Sequence, residues 1–266
     1  MRAVCFWYIN DRVTDEFFEM ENLHFEKIKQ YNIKQYFDKI DVHISINPKF
    51  HYAEHTEFFD KAVRKLQSCL GKNINIVASE NSPKYGEFLC YYDMVFKTLK
   101  DEIEPIFYFH FKGVKKFDPV FIQSRTKWIN VLYDKCFSEN ILNHIGEYSM
   151  SGAHFEPCSR SWFEKWLWLG TFEKYKKSYP FLKNLQSTNC GYLDGSFQWI
   201  NPIKLKEYLF EKGVSIDDLF SIEFSDNARI RYTHFSEYFL CSILDKSEIN
   251  AEEFVRTYLQ NKLLNK

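Results

Sequence analysis

Four short apolar runs lie within the first 111 residues, and segments with helical spacing separate them. That alternation constrains the fold of this chain more than any other feature. The runs are Ala3–Ile9, Ile40–Ile46 (IDVHISI), Ile74–Ala78 and Ile106–Phe111 (IFYFHF). The first stops at Asn10-Asp11, the second at Asn47-Pro48 and the fourth at Gly113, all turn-forming residues. Between them, Phe17, Met20, His24, Ile28 and Tyr31 recur at helical spacing within Asp15–Tyr31, as do Phe58, Ala62, Lys65 and Cys69 within Glu54–Leu70. Lys84–Leu99 reads as a third helix. Strands alternating with helices of this length predict βαβ units: an α/β fold whose mostly parallel sheet is flanked by helices.

The second half is less regular. Val120–Phe137, with Trp128 and Leu132, predicts a helix, and residues 138–160 read mainly as loop. Tyr192–Ile200 (YLDGSFQWI) reads as a late strand, followed by Asn201-Pro202 and a helix to Lys212, with proline suited to a first helical turn. Asn250 with Glu253 resembles a capping box opening a last helix. No repeat, low-complexity tract or linker interrupts the chain. One domain over 1–266, with a helical C-terminal part, is expected.

Charge narrows the function. Lys and Arg number 35 against 36 Asp and Glu, for a net charge of -1, which excludes a bulk nucleic-acid binder. The seven cysteines form no CxxC pair, so neither a zinc knuckle nor a thioredoxin-like site is indicated. Their scatter fits a reducing compartment. No apolar run reaches the roughly 18–20 residues of a membrane span, and the first residues are too short and aromatic for a signal peptide. A cytoplasmic protein is expected. Aromatic residues reach 19% of the chain, enough to fill a core and to line a site for flat ligands such as sugar rings or bases.

The fourth run carries the chemistry. Along a strand His110 and Lys112 project to one side, at the carboxyl end where open α/β sheets hold ligands. Gly113 permits close backbone approach, and Lys115, Lys116, Arg125 and Lys127 follow. Such a set suits an anion such as pyrophosphate; the plain alternative is a strand followed by a solvated Lys pair.

The tract Tyr108-Phe109-His110-Phe111-Lys112-Gly113-Val114 resembles the Y-x-H-x-K-G-V element of bacterial and viral sugar transferases related to rhamnan-synthesis proteins. The upstream run Ala78-Ser79-Glu80-Asn81-Ser82-Pro83-Lys84-Tyr85-Gly86-Glu87 resembles their E-N-x-x-x-Y-G-E element, and Tyr192–Trp199 their F-x-G-N-F-W-W segment. The three occur in the expected order and cover roughly residues 1–240. The resemblance implies a GT-A-like (Rossmann-like) glycosyltransferase that takes a sugar from a nucleotide-sugar donor to a glycan or glycolipid acceptor. Residues 1–117 would form the nucleotide-sugar half and 118–266 the acceptor half.

Donor-binding residues are then expected at Tyr8, Asn10, Glu80, Tyr85, Glu87, His110, Lys112, Gly113 and Arg125. The plain alternatives are a capping Asn10, a packed Tyr85 and a Glu87 that serves a helix dipole. No D-x-D motif occurs anywhere, so no cofactor and a metal-independent reaction are expected, with Lys112 and His110 meeting the diphosphate. Mn or Mg held by other ligands such as Glu80 or Asp194 stays open. An inverting transferase needs a carboxylate base; Asp194 is the first candidate and Glu237 the second. Trp199 and Ser196 are expected on the acceptor side, whereas Trp162 and Trp166, four apart, share a helix face suited to core. Basic residues of 160–177 offer a surface for peripheral association with a membrane-borne acceptor. The rival reading is a non-catalytic nucleotide-sugar or carbohydrate-binding module of the same fold.

Overall fold

A computed structural model of the chain describes residues 1–9, 15–46, 52–80, 87–111, 119–157, 177–185, 191–193, 196–222 and 235–251. Strands β1 (Arg2–Ile9), β2 (Lys39–Ile46), β3 (Ile74–Glu80) and β4 (Ile106–Phe111) are parallel neighbours in the order β3-β2-β1-β4. Helix α1 (Asp15–Gln30) joins β1 to β2, α2 (Tyr52–Leu70) joins β2 to β3, and the short α3 (Phe88–Met94) precedes β4. The alternation in the sequence is therefore a run of βαβ units, as expected.

Beyond β4 the sheet becomes mixed. Helices α4 (Pro119–Cys136) and α5 (Glu139–His144) lead to β5 (Met150–Gly152) and β6 (Phe155–Pro157). Next come β7 (Gly191–Leu193), β8 (Gln198–Ile200), α6 (Pro202–Glu211), α7 (Ile216–Phe220), α8 (Phe235–Ile243) and β9 (Ile249–Ala251). The full sheet has seven strands in the order β3-β2-β1-β4-β8-β5-β9, with β8 antiparallel to both β4 and β5, while β6 and β7 pair separately. Five strands run from β3 to β8 before β5 returns beside β9, so the second half of the chain extends the first half's sheet.

Four expectations change here. Residues 138–160 hold α5, capped by the Ser138 hydroxyl accepting from the Ile141 N–H, and the strands β5 and β6. Tyr192–Ile200 is two strands in two sheets, because Ser196 between them takes a left-handed φ of 54°. The third helix is only α3, which gives way to a 3-10 turn over Phe96–Lys100. Asn250 lies in β9, paired with Ser151, and not at a helix start.

Side chains alternate across the sheet. Cys5, Trp7, Val42, Ile44, Phe107, Phe109 and Phe111 face one core, shared with α1, α2 and α4. Val4, Phe6, Ile106 and Tyr108 face the other, shared with α3, α6, α7 and α8. On that second face β2 turns polar at every other residue, with Asp41, His43 and Ser45. Asp41 accepts from Arg2 Nε at 2.7 Å and from Asn75 Nδ2 at 2.9 Å, tying β1, β2 and β3 together beneath the site.

At Gly152 β5 lies close under β7 and beside β8. A Cβ there would stand 3.0 Å from the Leu193 side chain and 3.0 Å from the Phe197 carbonyl oxygen. Gly152→Ala is expected to cost about 1–3 kcal/mol in urea unfolding, the usual price of overpacking. Unchanged stability would mean that β7 yields freely.

Candidate functional site

The order β3-β2-β1-β4 places a reversal between β1 and β4. The chain moves outward through α1 and α2 on one face, then returns past α3 on the other. Open α/β sheets bind ligands in the crevice outside the carboxyl ends of the strands at such a reversal. The residues nearest that crevice are Tyr8 and Ile9 of β1 and His110 and Phe111 of β4.

Three polar side chains meet there. His110 projects to the α3 face, level with Phe6 of β1. Its Nδ1–H donates to Glu87 Oε2, and the Ser196 hydroxyl donates to Glu87 Oε1 at 2.9 Å. One carboxylate thus joins the residue before α3, the end of β4 and the entrance to β8. All three are buried, with exposures of 6% for Glu87, 8% for His110 and 0% for Ser196. A buried carboxylate is costly unless charged or strong donors surround it, and here two are aimed at it. Glu87 stands at the N-cap of α3 yet makes no side-chain cap bond; among the described residues its carboxylate bonds His110 and Ser196.

Ser196 holds its place at a cost. A left-handed φ on a non-glycine residue costs on the order of 1 kcal/mol, and such strain gathers at functional sites. The Ser196 hydroxyl proton goes to Glu87, so this serine anchors the carboxylate.

Behind the trio, Gln198 Nε2 donates to the Tyr91 hydroxyl at 3.2 Å, and the Tyr91 and Tyr108 rings meet edge to face at 4.8 Å. Burial pushes both phenols up, and the nearby Glu87 charge adds to it. They stay neutral. Beside the trio, the α3 face of the sheet carries a polar shelf. Its members are Tyr8, half-buried, Ser45, and His43 bonded to the Ser79 hydroxyl at 2.7 Å. Burial lowers the His43 pKa, with Asp93 opposing, so that ring is neutral at pH 7. His43 and His110 flank Phe6 in one row, two strand spacings or about 10 Å apart.

Among the residues expected from the sequence, Tyr8, Glu87, His110 and Ser196 come together. Glu80 does not join them; it is exposed at the end of edge strand β3, about 14 Å from β4 by strand spacing. Arg125 sits on α4, which packs against the opposite face, with its guanidinium 4.6 Å from the Trp128 ring centre. Trp199, expected beside a sugar, is 1% exposed in the core: it packs on Phe37 and Phe107, and its indole donates to the Cys136 carbonyl. Its place on β8 turns the ring away from the α3 face. Asn10, Tyr85, Lys112, Gly113, Lys115, Lys116, Asp194, Trp162 and Trp166 lie outside the described residues, as does the side chain of Glu237 on α8.

Sequence reasoning passed over His43, Ser45 and Ser79. The signal was present: Asp41, His43 and Ser45 break an apolar strand at a period of two. No protein-family model matches the chain, and no curated protein matches it.

Proposed function

We propose that this chain is a glycosyltransferase of GT-A-like fold that moves a sugar from a nucleotide-sugar donor to a glycan or glycolipid acceptor. One observation carries the reading. Glu87, His110 and Ser196 belong to the three separate sequence elements of the resemblance, and they meet in one hydrogen-bonded cluster beside the reversal in strand order. A random trio from positions 109 residues apart has no reason to converge there.

In this reading the donor diphosphate lies against His110, with Lys112 supplying a second positive charge. The bond from the anomeric carbon to the diphosphate breaks with its electron pair on the phosphate oxygen. The acceptor hydroxyl oxygen forms the new bond, and its proton passes to a carboxylate, Asp194 or Glu237. Charge developing on the leaving group is what the site must meet. Tyr8 and the shelf of Ser45, His43 and Ser79 would border the donor.

A cytoplasmic setting belongs to the same proposal. Among the described residues Cys5, Cys69, Cys90, Cys136 and Cys241 are buried and form no disulfide, in keeping with a reducing compartment. Among the described residues no helix is long and apolar enough to cross a membrane. The basic segment 160–177, proposed for peripheral membrane association, lies outside the described residues.

A thermal-shift screen of nucleotides and nucleotide sugars, each with EDTA and with Mn²⁺, tests the donor site. A ligand at a hundredfold excess over its Kd adds about 2.7 kcal/mol of apparent stability. One nucleotide class is expected to raise Tm in EDTA and to release free nucleoside diphosphate when acceptor glycans are added. A shift seen only with Mn²⁺ would sink the metal-free reaction. Binding with no turnover on any acceptor would favour the non-catalytic module.

A further inference from the structure

We infer that the outer edge of β3 is an interface for a second copy of this chain. Two β3 strands pair antiparallel about a two-fold axis through Ile76 and join the two sheets into one.

The two edges of the sheet differ. β9 has three residues, none of them exposed. β3 has seven, and Asn75, Val77, Ala78, Ser79 and Glu80 are all exposed. Among the described residues β3 pairs with β2 alone, so alternate residues send their N–H and C=O groups outward with no strand to meet them. Such an edge recruits another strand unless lysine, proline or a bulge blunts it. Ile74–Glu80 contains no lysine or proline, and its register with β2 runs unbroken from end to end. Val77 is 45% exposed. Asn75 and Ser79 are bonded to Asp41 and His43 of β2, so the strand is already held in its extended form.

The sequence around β3 selects the partner and the register. Residues directly opposite in an antiparallel pair share a face, so a two-fold axis perpendicular to the sheet passes between a residue and its own copy. With the axis at Ile76, Lys72 stands opposite the partner's Glu80, and Glu80 opposite the partner's Lys72. Both side chains are exposed, and neither has an ion pair among the described residues. Opposite charges directly across a strand pair stabilise it. The same register sets Ile74 against the partner's Ala78 on the face where Ile74 and Ile76 already pack beneath α2. On the other face Asn75 meets the partner's Val77. Moving the axis to Asn75 would put Glu80 opposite the partner's Leu70, and moving it to Val77 opposite the partner's Ile74. Only the axis at Ile76 joins charge to charge and apolar to apolar.

Antiparallel pairing points the carboxyl ends of the two sheets in opposite directions. Each copy therefore keeps its own crevice between β1 and β4. Glu80, which stands away from that crevice, has its role at the interface.

Sedimentation equilibrium of the full-length protein at low salt, from micromolar to millimolar concentration, reads the association. A monomer–dimer equilibrium is expected, weakened by added salt. Glu80→Lys and Lys72→Glu each place like charges opposite one another twice per dimer, and each is expected to weaken association about tenfold or more. Lys72→Glu/Glu80→Lys restores opposite charges and is expected to associate within about threefold of the wild type. Both positions are exposed, so the variants keep the fold. Ile76→Cys checks the axis. Opposed Cα atoms about 4.5–5.5 Å apart accept a disulfide, so mild oxidation should give a covalent dimer that the wild type does not form. A chain that stays monomeric throughout overturns the inference, whether its edge stays bare or takes a strand from another protein. A dimer indifferent to both single reversals overturns it too, because the contact then lies elsewhere. So does a dimer that the single reversals weaken and the double variant fails to restore.

Discussion

If the chain transfers sugar as proposed, His110→Gln is expected to lower kcat/KM by about 100- to 1000-fold, the usual loss when one preorganised donor to a developing anion is removed. Glutamine keeps a hydrogen-bonding amide of similar reach but carries no charge. The substitution also leaves Glu87 buried without one of its two described donors, and breaking a buried pair this way costs roughly 3–5 kcal/mol of stability. Activity and folding are thus confounded in the single variant. The double variant His110→Gln/Glu87→Gln separates them, because it removes the stranded charge. Unfolding in urea should show most of the lost stability returning, while kcat/KM stays at the level of His110→Gln. Recovery of activity along with stability would mean that the pair is a structural tie and that catalysis lies elsewhere.

The first half of the fold was legible because its signals are local. β1 to β4 with helices α1 and α2 are set by periodicity over segments of six to nineteen residues, which a window along the sequence captures. The second half is built from strands of three residues, too short for any period, which exist only through partners far away in sequence. β8 is held between β4 and β5, and Asn250 is extended because β5 lies beside it. Nothing near Asn250 announces that pairing, and its local spacing to Glu253 suggests a helix start. Ser196 is a similar case, since only the finished turn reveals its left-handed φ.

The site divides in the same way. His110 was visible as a polar residue at the end of an apolar strand, and Glu87 and Ser196 through the sequence elements that hold them. Their mutual bonding was not visible, because it joins positions 23 and 109 residues apart. Trp199 misled for the opposite reason. A tryptophan beside a polar loop looks available for a sugar, and only its register with Phe107 shows that the ring enters the core.

Outside the site, the largest stability effect is expected at Glu21. This residue of α1 is 3% exposed against the face of β1, and neither carboxylate oxygen finds a hydrogen-bond partner among the described residues. Burial pushes its pKa well above the carboxylate range, while the Trp7 indole and the Lys65 ammonium offset only part of it. At low pH Glu21 is protonated in both the folded and unfolded chain and contributes no pH dependence. As pH rises past the ordinary carboxylate range, the unfolded chain releases this proton and the folded chain keeps it. Stability must then fall with rising pH, by at most about 1.4 kcal/mol per pH unit, until the folded group itself ionises. Glu21→Gln has nearly the same shape and no proton to lose. Its stability relative to the wild type should be near zero around pH 4.5 and grow to a few kcal/mol by pH 8. For a chain of this length that is roughly 5–10 °C in Tm. Urea unfolding of both proteins between pH 4.5 and 8 reads the difference directly. Parallel curves would mean that Glu21 ionises as freely inside the fold as outside it, with Lys65 close enough to hold the charge.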